Sequence, residues 1–208
     1  MYISSFPMLL LTALAALIYL GFLERVLERM ALSRKEALVI LLVMLAASFL
    51  PEIPLYRGLR VNPGGALIPM GILFYLLAAA DTREEKLRGV ATILVVAASV
   101  YVLDKFLPLE PGFISFDIDP LYLPAVIGAA FAYLTGRSRR SAFMGAVGGV
   151  LLLDLAAWVE NLIMFPGSVP LSLGGGGVLG GALLSGVLAV FLAEGVGEIR
   201  ERLKRGPA

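Results

Sequence analysis

The stretch Ser141-Ala-Phe-Met-Gly-Ala-Val-Gly-Gly-Val-Leu-Leu-Leu-Asp-Leu-Ala-Ala-Trp-Val-Glu-Asn-Leu-Ile-Met-Phe165 decides the fold. A bilayer core about 30 Å thick takes roughly 20 apolar helical residues. This run is longer than that and carries only two charges, Asp154 and Glu160. Six further apolar segments lie around it: Phe6–Leu23, Ala37–Leu50, Gly64–Ala80, Gly89–Leu107, Leu121–Leu134 and Leu173–Ala193. The second and fifth are short, and Pro51 and Pro54 bracket the end of the second, which predicts a bent or partly re-entrant finish there.

The composition agrees with that reading. Of 208 residues, 59% are hydrophobic and 16% charged, with a mean hydropathy of +0.91. Soluble chains average about 45–50% apolar and about 25% charged, so a soluble domain, a disordered tail, a collagen and a disulfide scaffold are all excluded. The absence of Cys and His removes thiol catalysis, His-based triads and Cys/His metal sites. Any metal would need an all-oxygen site, and neither metal nor cofactor is expected. A net charge of +1 gives no field for nucleic acid. No basic residue precedes Pro7, unlike a cleavable signal peptide, and no hydrophilic stretch is long enough for a soluble domain. The expectation is one transmembrane domain over 1–208: an all-α, polytopic bundle of seven spans in the cell membrane.

The basic residues orient it. Arg25, Arg29, Arg34 and Lys35 follow the first span; Arg83, Lys86 and Arg88 the third; Arg137, Arg139 and Arg140 the fifth; Arg200, Arg202, Lys204 and Arg205 the seventh. Only Arg57, Arg60 and Lys105 fall on the other side. By the positive-inside rule the N-terminus is outside and the C-terminus cytoplasmic. The acidic residues divide differently. Glu52, Asp104, Glu110, Asp117, Asp119, Asp154 and Glu160 lie on or near the outer side, so a site is expected on that face.

An ionisable group within a span is costly unless paired, neutral or facing water, and is a functional candidate by default. Asp154 is one. Asp104 and Lys105 close the fourth span. Counted from Arg88 and Arg140, Asp104 and Asp154 lie roughly 24 Å and 21 Å along their helices at 1.5 Å per residue, nearly one level. Three readings stay open: an Asp154–Lys105 ion pair or a protonated Asp bonded to backbone; a water-filled pocket for a cation, solute or proton; and a carboxylate dyad sharing one proton. Glu160 and Asn161 extend a polar stripe outward from Asp154.

Two glycine-rich features complete the inventory. In Val61-Asn-Pro-Gly-Gly65, Asn62 suits an N-cap and Pro63 the first helical position, with Glu52 a carboxylate that could dock at that helix start. Leu173-Gly-Gly-Gly-Gly-Val-Leu-Gly-Gly181 has no Walker lysine and is no phosphate cradle. Its Gly177 and Gly181, with Gly145 and Gly149, give small-xxx-small spacing and predict close packing of the sixth and seventh helices. No motif recurs in two halves of the chain.

The run Val61-Asn-Pro-Gly-Gly-Ala-Leu-Ile-Pro69, with Gly149-Val-Leu-Leu-Leu-Asp154 and Leu173 to Gly186, resembles a prokaryotic membrane family, domain of unknown function sixteen-fourteen. The resemblance implies a multi-pass membrane protein and little chemistry. In that pattern an Asp in one helix, matched by Asp154, is joined by another in the next glycine-rich segment, near Gly180, where this chain has none. The two-Asp layout is also similar to intramembrane aspartyl proteases of the presenilin kind, whose glycine-rich motif would here lack its Asp.

The expected site is therefore an outward pocket formed by Asp104, Lys105, Asp154, Glu160, Asn161 and Asn62, binding or moving a small solute, cation or proton without catalysis. The alternatives are an aspartyl-protease-like enzyme using Asp104 and Asp154, or a helper subunit. Expected partners are the lipid bilayer, the small solute or cation, and a helix-helix partner or second copy.

Overall fold

The structure, a computed structural model, describes residues 18, 20–28, 32–80, 82–106, 123–136, 138–164 and 170–205, with side chains for all of these except 34, 104, 123 and 197–205. It divides into two compact units, 1–43 and 44–208.

In the first unit, residues 20–28 are helical (α1). The expected first span, Phe6–Leu23, lies mostly outside the described residues. Helix α2 (Arg34–Ser48) starts there and ends in the second unit. Its start is a reciprocal cap: the Glu36 N–H donates to Ser33 Oγ at 3.3 Å, and the Ser33 N–H donates to Glu36 Oε2 at 2.7 Å.

The second unit continues from α2 into a hairpin, β1 (Ile53–Tyr56) and β2 (Leu59–Val61). Arg57 and Gly58 make its two-residue turn with φ of 40° and 82°, the left-handed pair a tight hairpin needs. A single π-helical turn, Pro63–Leu67, leads into α3 (Ile68–Ala78). Pro69 accounts for the wide turn, since it has no N–H for the Gly65 carbonyl and its ring crowds that oxygen. Helices α4 (Arg83–Phe106), α5 (Leu123–Gly136) and α6 (Arg139–Met164) follow, then β3 (Leu171–Leu173), a glycine turn, a 3-10 turn (Gly177–Leu179) and α7 (Gly181–Arg205). Thr82 caps α4 and Ser138 caps α6 through hydroxyls that accept main-chain N–H groups.

The fold is all-α in class, as expected, and carries besides a small three-stranded sheet in the order β1-β2-β3. Strands β1 and β2 are antiparallel, while β2 and β3 are parallel, with Leu59, Arg60 and Val61 opposite Leu171, Ser172 and Leu173. The seventh segment is corrected accordingly: its first residues are strand and turns, and the helix starts at Gly181. The sheet also uncovers a short recurrence. Leu59-x-Val-x-x-Gly-Gly-x-Leu67 and Leu171-x-Leu-x-x-Gly-Gly-x-Leu179 form two strand–glycine turn–helix units side by side.

Helices α4 to α7 pack together around small residues, among them Ala129, Ala132, Ala142, Ala146 and Ala189, with Val96 and Val100. Gly145, Gly148 and Gly149 seat α6 on Thr92, Ile93 and Val96 of α4, so these helices run parallel. This corrects the expectation that Gly145 and Gly149 face the seventh helix. The close approach to α7 is made instead by Gly186, against Phe143 and Val147. Arg139 and Glu194, 3.5 Å apart, set α6 and α7 antiparallel.

Of the expected spans, two helical stretches among the described residues are long and apolar enough to cross a membrane, Arg83–Leu103 and Arg139–Met164. Pro63–Ala78, Pro124–Gly136 and Gly181–Val196 are shorter apolar helices.

Candidate functional site

The two glycine turns meet. A Cβ on Gly65 would strike the Gly174 carbonyl oxygen and come within 2.8 Å of Gly177 Cα, so the main chains touch where any side chain would intervene. Gly174, Gly176 and Gly177 have φ of 65°, 86° and 60°, which glycine adopts without steric cost. Each turn's amides are met by a side chain. The Gly65 N–H donates to Asn62 Oδ1 at 2.8 Å, so Asn62 is the cap the sequence predicts. The Val178 N–H donates to Ser48 Oγ at 3.1 Å, and that hydroxyl donates to the Met44 carbonyl at 2.8 Å. The Gly174 N–H donates to Asp154 Oδ2 at 3.3 Å.

One peptide group therefore joins two of the predicted residues. The Leu173 carbonyl accepts the Asn62 N–H at 3.0 Å, and the amide on the same peptide bond reaches Asp154. Asp154 sits in the body of α6, ten residues before its last residue, Met164, or roughly 15 Å down the helix. The glycine turn thus reaches well below the end of α6. Among the described residues no lysine or arginine pairs with Asp154.

The Asp154–Lys105 ion pair is replaced by another. Lys105 Nζ donates to Glu160 Oε1 at 2.6 Å, tying the end of α4 to α6, and lies 5.5 Å from the Tyr101 ring centre. Parallel packing in this register puts Lys105 nearly level with Glu160, above Asp154. Asn161 follows Glu160, half-buried. The backbone of Asp104 is in α4; its side chain lies outside the described residues, and so does any meeting with Asp154. Five of the six predicted residues thus separate into an inner pair, Asn62 and Asp154 on the glycine turns, and an outer group, Lys105, Glu160 and Asn161.

Glu52 does not dock at the start of α3. It accepts the Ser172 hydroxyl at 2.5 Å and lies 4.0 Å from Arg60, bracing β2 and β3. Trp158 Nε1 donates to the Arg57 carbonyl at 3.3 Å, and its ring meets Tyr56 edge-on at 6.4 Å, pinning the hairpin to α6. Sequence reasoning missed Ser48 and Ser172. The available signal was the matched Gly-Gly pair in each unit, which implies two turns packed together and a need for outside acceptors.

A mainly helical protein with two helices of membrane-crossing length and a carboxylate against paired glycine turns is the class this geometry defines. The chain belongs to the family described as protein of unknown function DUF1614, whose profile matches residues 23–192. No curated protein and no solved structure matches it.

Proposed function

We propose that the chain is a multi-pass protein of the cell membrane, N-terminus outside and C-terminus cytoplasmic, that binds or moves a small cation, solute or proton at Asp154. The membrane reading draws on α4. Only 22% of its most apolar stretch is buried, whereas the core helix of a soluble protein would be mostly covered. Leu94, Val95 and Val102 face outward instead, as lipid contact requires. The shorter helices α3 and α7 fit beside it because the turns that precede them extend the crossing, and the irregular backbone at Pro63 to Ala66, Gly174 and Gly177 is buried in protein. The charge asymmetry supplies the orientation.

The observation that carries the function is Asp154 itself, a carboxylate within a long apolar helix whose described partner is a glycine amide rather than a base. A titratable group held by one main-chain N–H can exchange a proton or a cation without first breaking a salt bridge. Broken, glycine-rich helix starts line the ion sites of many transporters. The helper-subunit reading is less favoured, because Gly145, Gly149, Gly177 and Gly186 are all used in packing within the chain.

Purified protein in vesicles, with a proton or sodium gradient imposed, provides the test. Asn at 154 keeps an oxygen for the Gly174 N–H while removing the titration, so Asp154→Asn retains the thermal stability of wild type and loses the flux. Asp154→Ala also leaves the Gly174 amide unsatisfied and costs about 1–3 kcal/mol of stability. Wild-type flux of both ions in Asp154→Asn refutes the assignment and leaves Asp154 as a tether for the turn.

A further inference from the structure

An apolar groove of about 720 Å³ runs between α4 and α6, within the roughly 300–1,000 Å³ of typical ligand sites. Its walls include Leu94, Ala98, Ala156, Val159 and Ile163, and Tyr101 and Glu160 stand on its border. Glu160 carries the Lys105 ammonium at 2.6 Å, and the two side chains keep 33% and 47% exposure, so each presents a flank at the mouth.

Within a bilayer an apolar groove gains little by exchanging one hydrocarbon for another, because lipid tails are as apolar as Leu. Selective occupancy must come from shape and from charges at the mouth. Here those charges are a cation and an anion side by side. The complementary ligand is a headgroup with the same two charges in reverse, an anion to meet Lys105 and a hydrogen-bonding cation to meet Glu160, on an apolar chain that fills the groove. We infer that this groove holds one phospholipid with a phosphoethanolamine headgroup, its phosphate on Lys105, its ammonium on Glu160 and an acyl chain between α4 and α6. The inference rests on the membrane reading but not on the role of Asp154. The ammonium distinguishes this lipid from phosphatidylcholine, whose quaternary nitrogen has no N–H to donate to Glu160.

The full chain is reconstituted in vesicles of phosphatidylethanolamine, phosphatidylcholine and phosphatidylglycerol in equal parts with identical acyl chains. It is then extracted in mild detergent, and the lipid retained is identified by native mass spectrometry. The expected result is one retained lipid, with phosphatidylethanolamine favoured over phosphatidylcholine roughly tenfold, the scale of one charge-assisted hydrogen bond. Glu160→Gln abolishes that preference. Ala98→Phe fills the groove from α4 and Ala156→Leu narrows it from α6, and each loses the lipid, whereas Val102→Phe, exposed on α4 away from the groove, keeps it. The inference is overturned by retention in the proportions of the vesicle, by preference for phosphatidylglycerol, or by wild-type retention in whichever groove variant folds. Chain that stays in solution without detergent overturns the membrane reading instead, and chain that needs detergent yet holds no lipid overturns this inference alone.

Discussion

A methyl group on Gly65 would meet the Gly174 carbonyl, Gly177 Cα and the Gly177 carbonyl, all main-chain atoms with no rotamer to yield. Gly65→Ala is therefore expected to destabilise the protein by about 1–3 kcal/mol, the scale of overpacking in a filled core. Gly71→Ala, six residues further on in the first turn of α3 and with nothing within 4 Å of the added carbon, should be neutral or slightly stabilising. Thermal midpoints of the two variants in the same detergent check the pair, and equal midpoints would contradict the close packing of the two turns. At this scale the sequence was partly legible. Asn62 announced itself as a cap because Asn-Pro opens helices for local reasons. Asp154 stood out because nothing polar surrounds it. Its partner did not, since a glycine amide twenty residues away leaves no mark in composition.

Short elements behave differently from long ones. Helices α4 and α6 are legible because each continuous apolar run exceeds what a soluble helix needs. Strands β2 and β3, three residues each, are hidden: where most residues are apolar, alternation carries no contrast, and parallel pairing joins segments far apart in the chain. The hairpin turn escaped for a related reason, as Arg57 stands where Asn or Asp is usual. Element ends also carry a pH dependence. At the start of α2, the Ser33 main-chain N–H, then its hydroxyl, hold the Glu36 carboxyl below its ordinary value of 4.5. A depressed folded value means this cap's contribution is fully present above the ordinary carboxylate range and is lost as pH falls through the depressed value. Unfolding followed by circular dichroism between neutral and acid pH should show a shallower acid loss for Glu36→Gln than for wild type. Identical acid limbs would leave the cap without effect on stability.

For the molecule as a whole, the charge asymmetry and the outward apolar face of α4 support the same arrangement from independent directions: one concerns where charges fall along the chain, the other which side chains the fold leaves uncovered. The lengths of the helices were less legible than their apolar character. Segments of similar apolarity became long apolar helical stretches in two cases and shorter ones preceded by turns and strands in others, because prolines and paired glycines redirect the chain. The most direct measurement uses the natural absence of cysteine. Single cysteines at Arg57, Thr82 and Asp154 are treated in intact cells with a charged, membrane-impermeant thiol reagent. Labelling at 57 and at 154 from outside, with 82 labelled only after the membrane is opened, is the result this account predicts. Labelling of 82 in intact cells, or of 154 only after opening, would contradict an outward-facing site at Asp154.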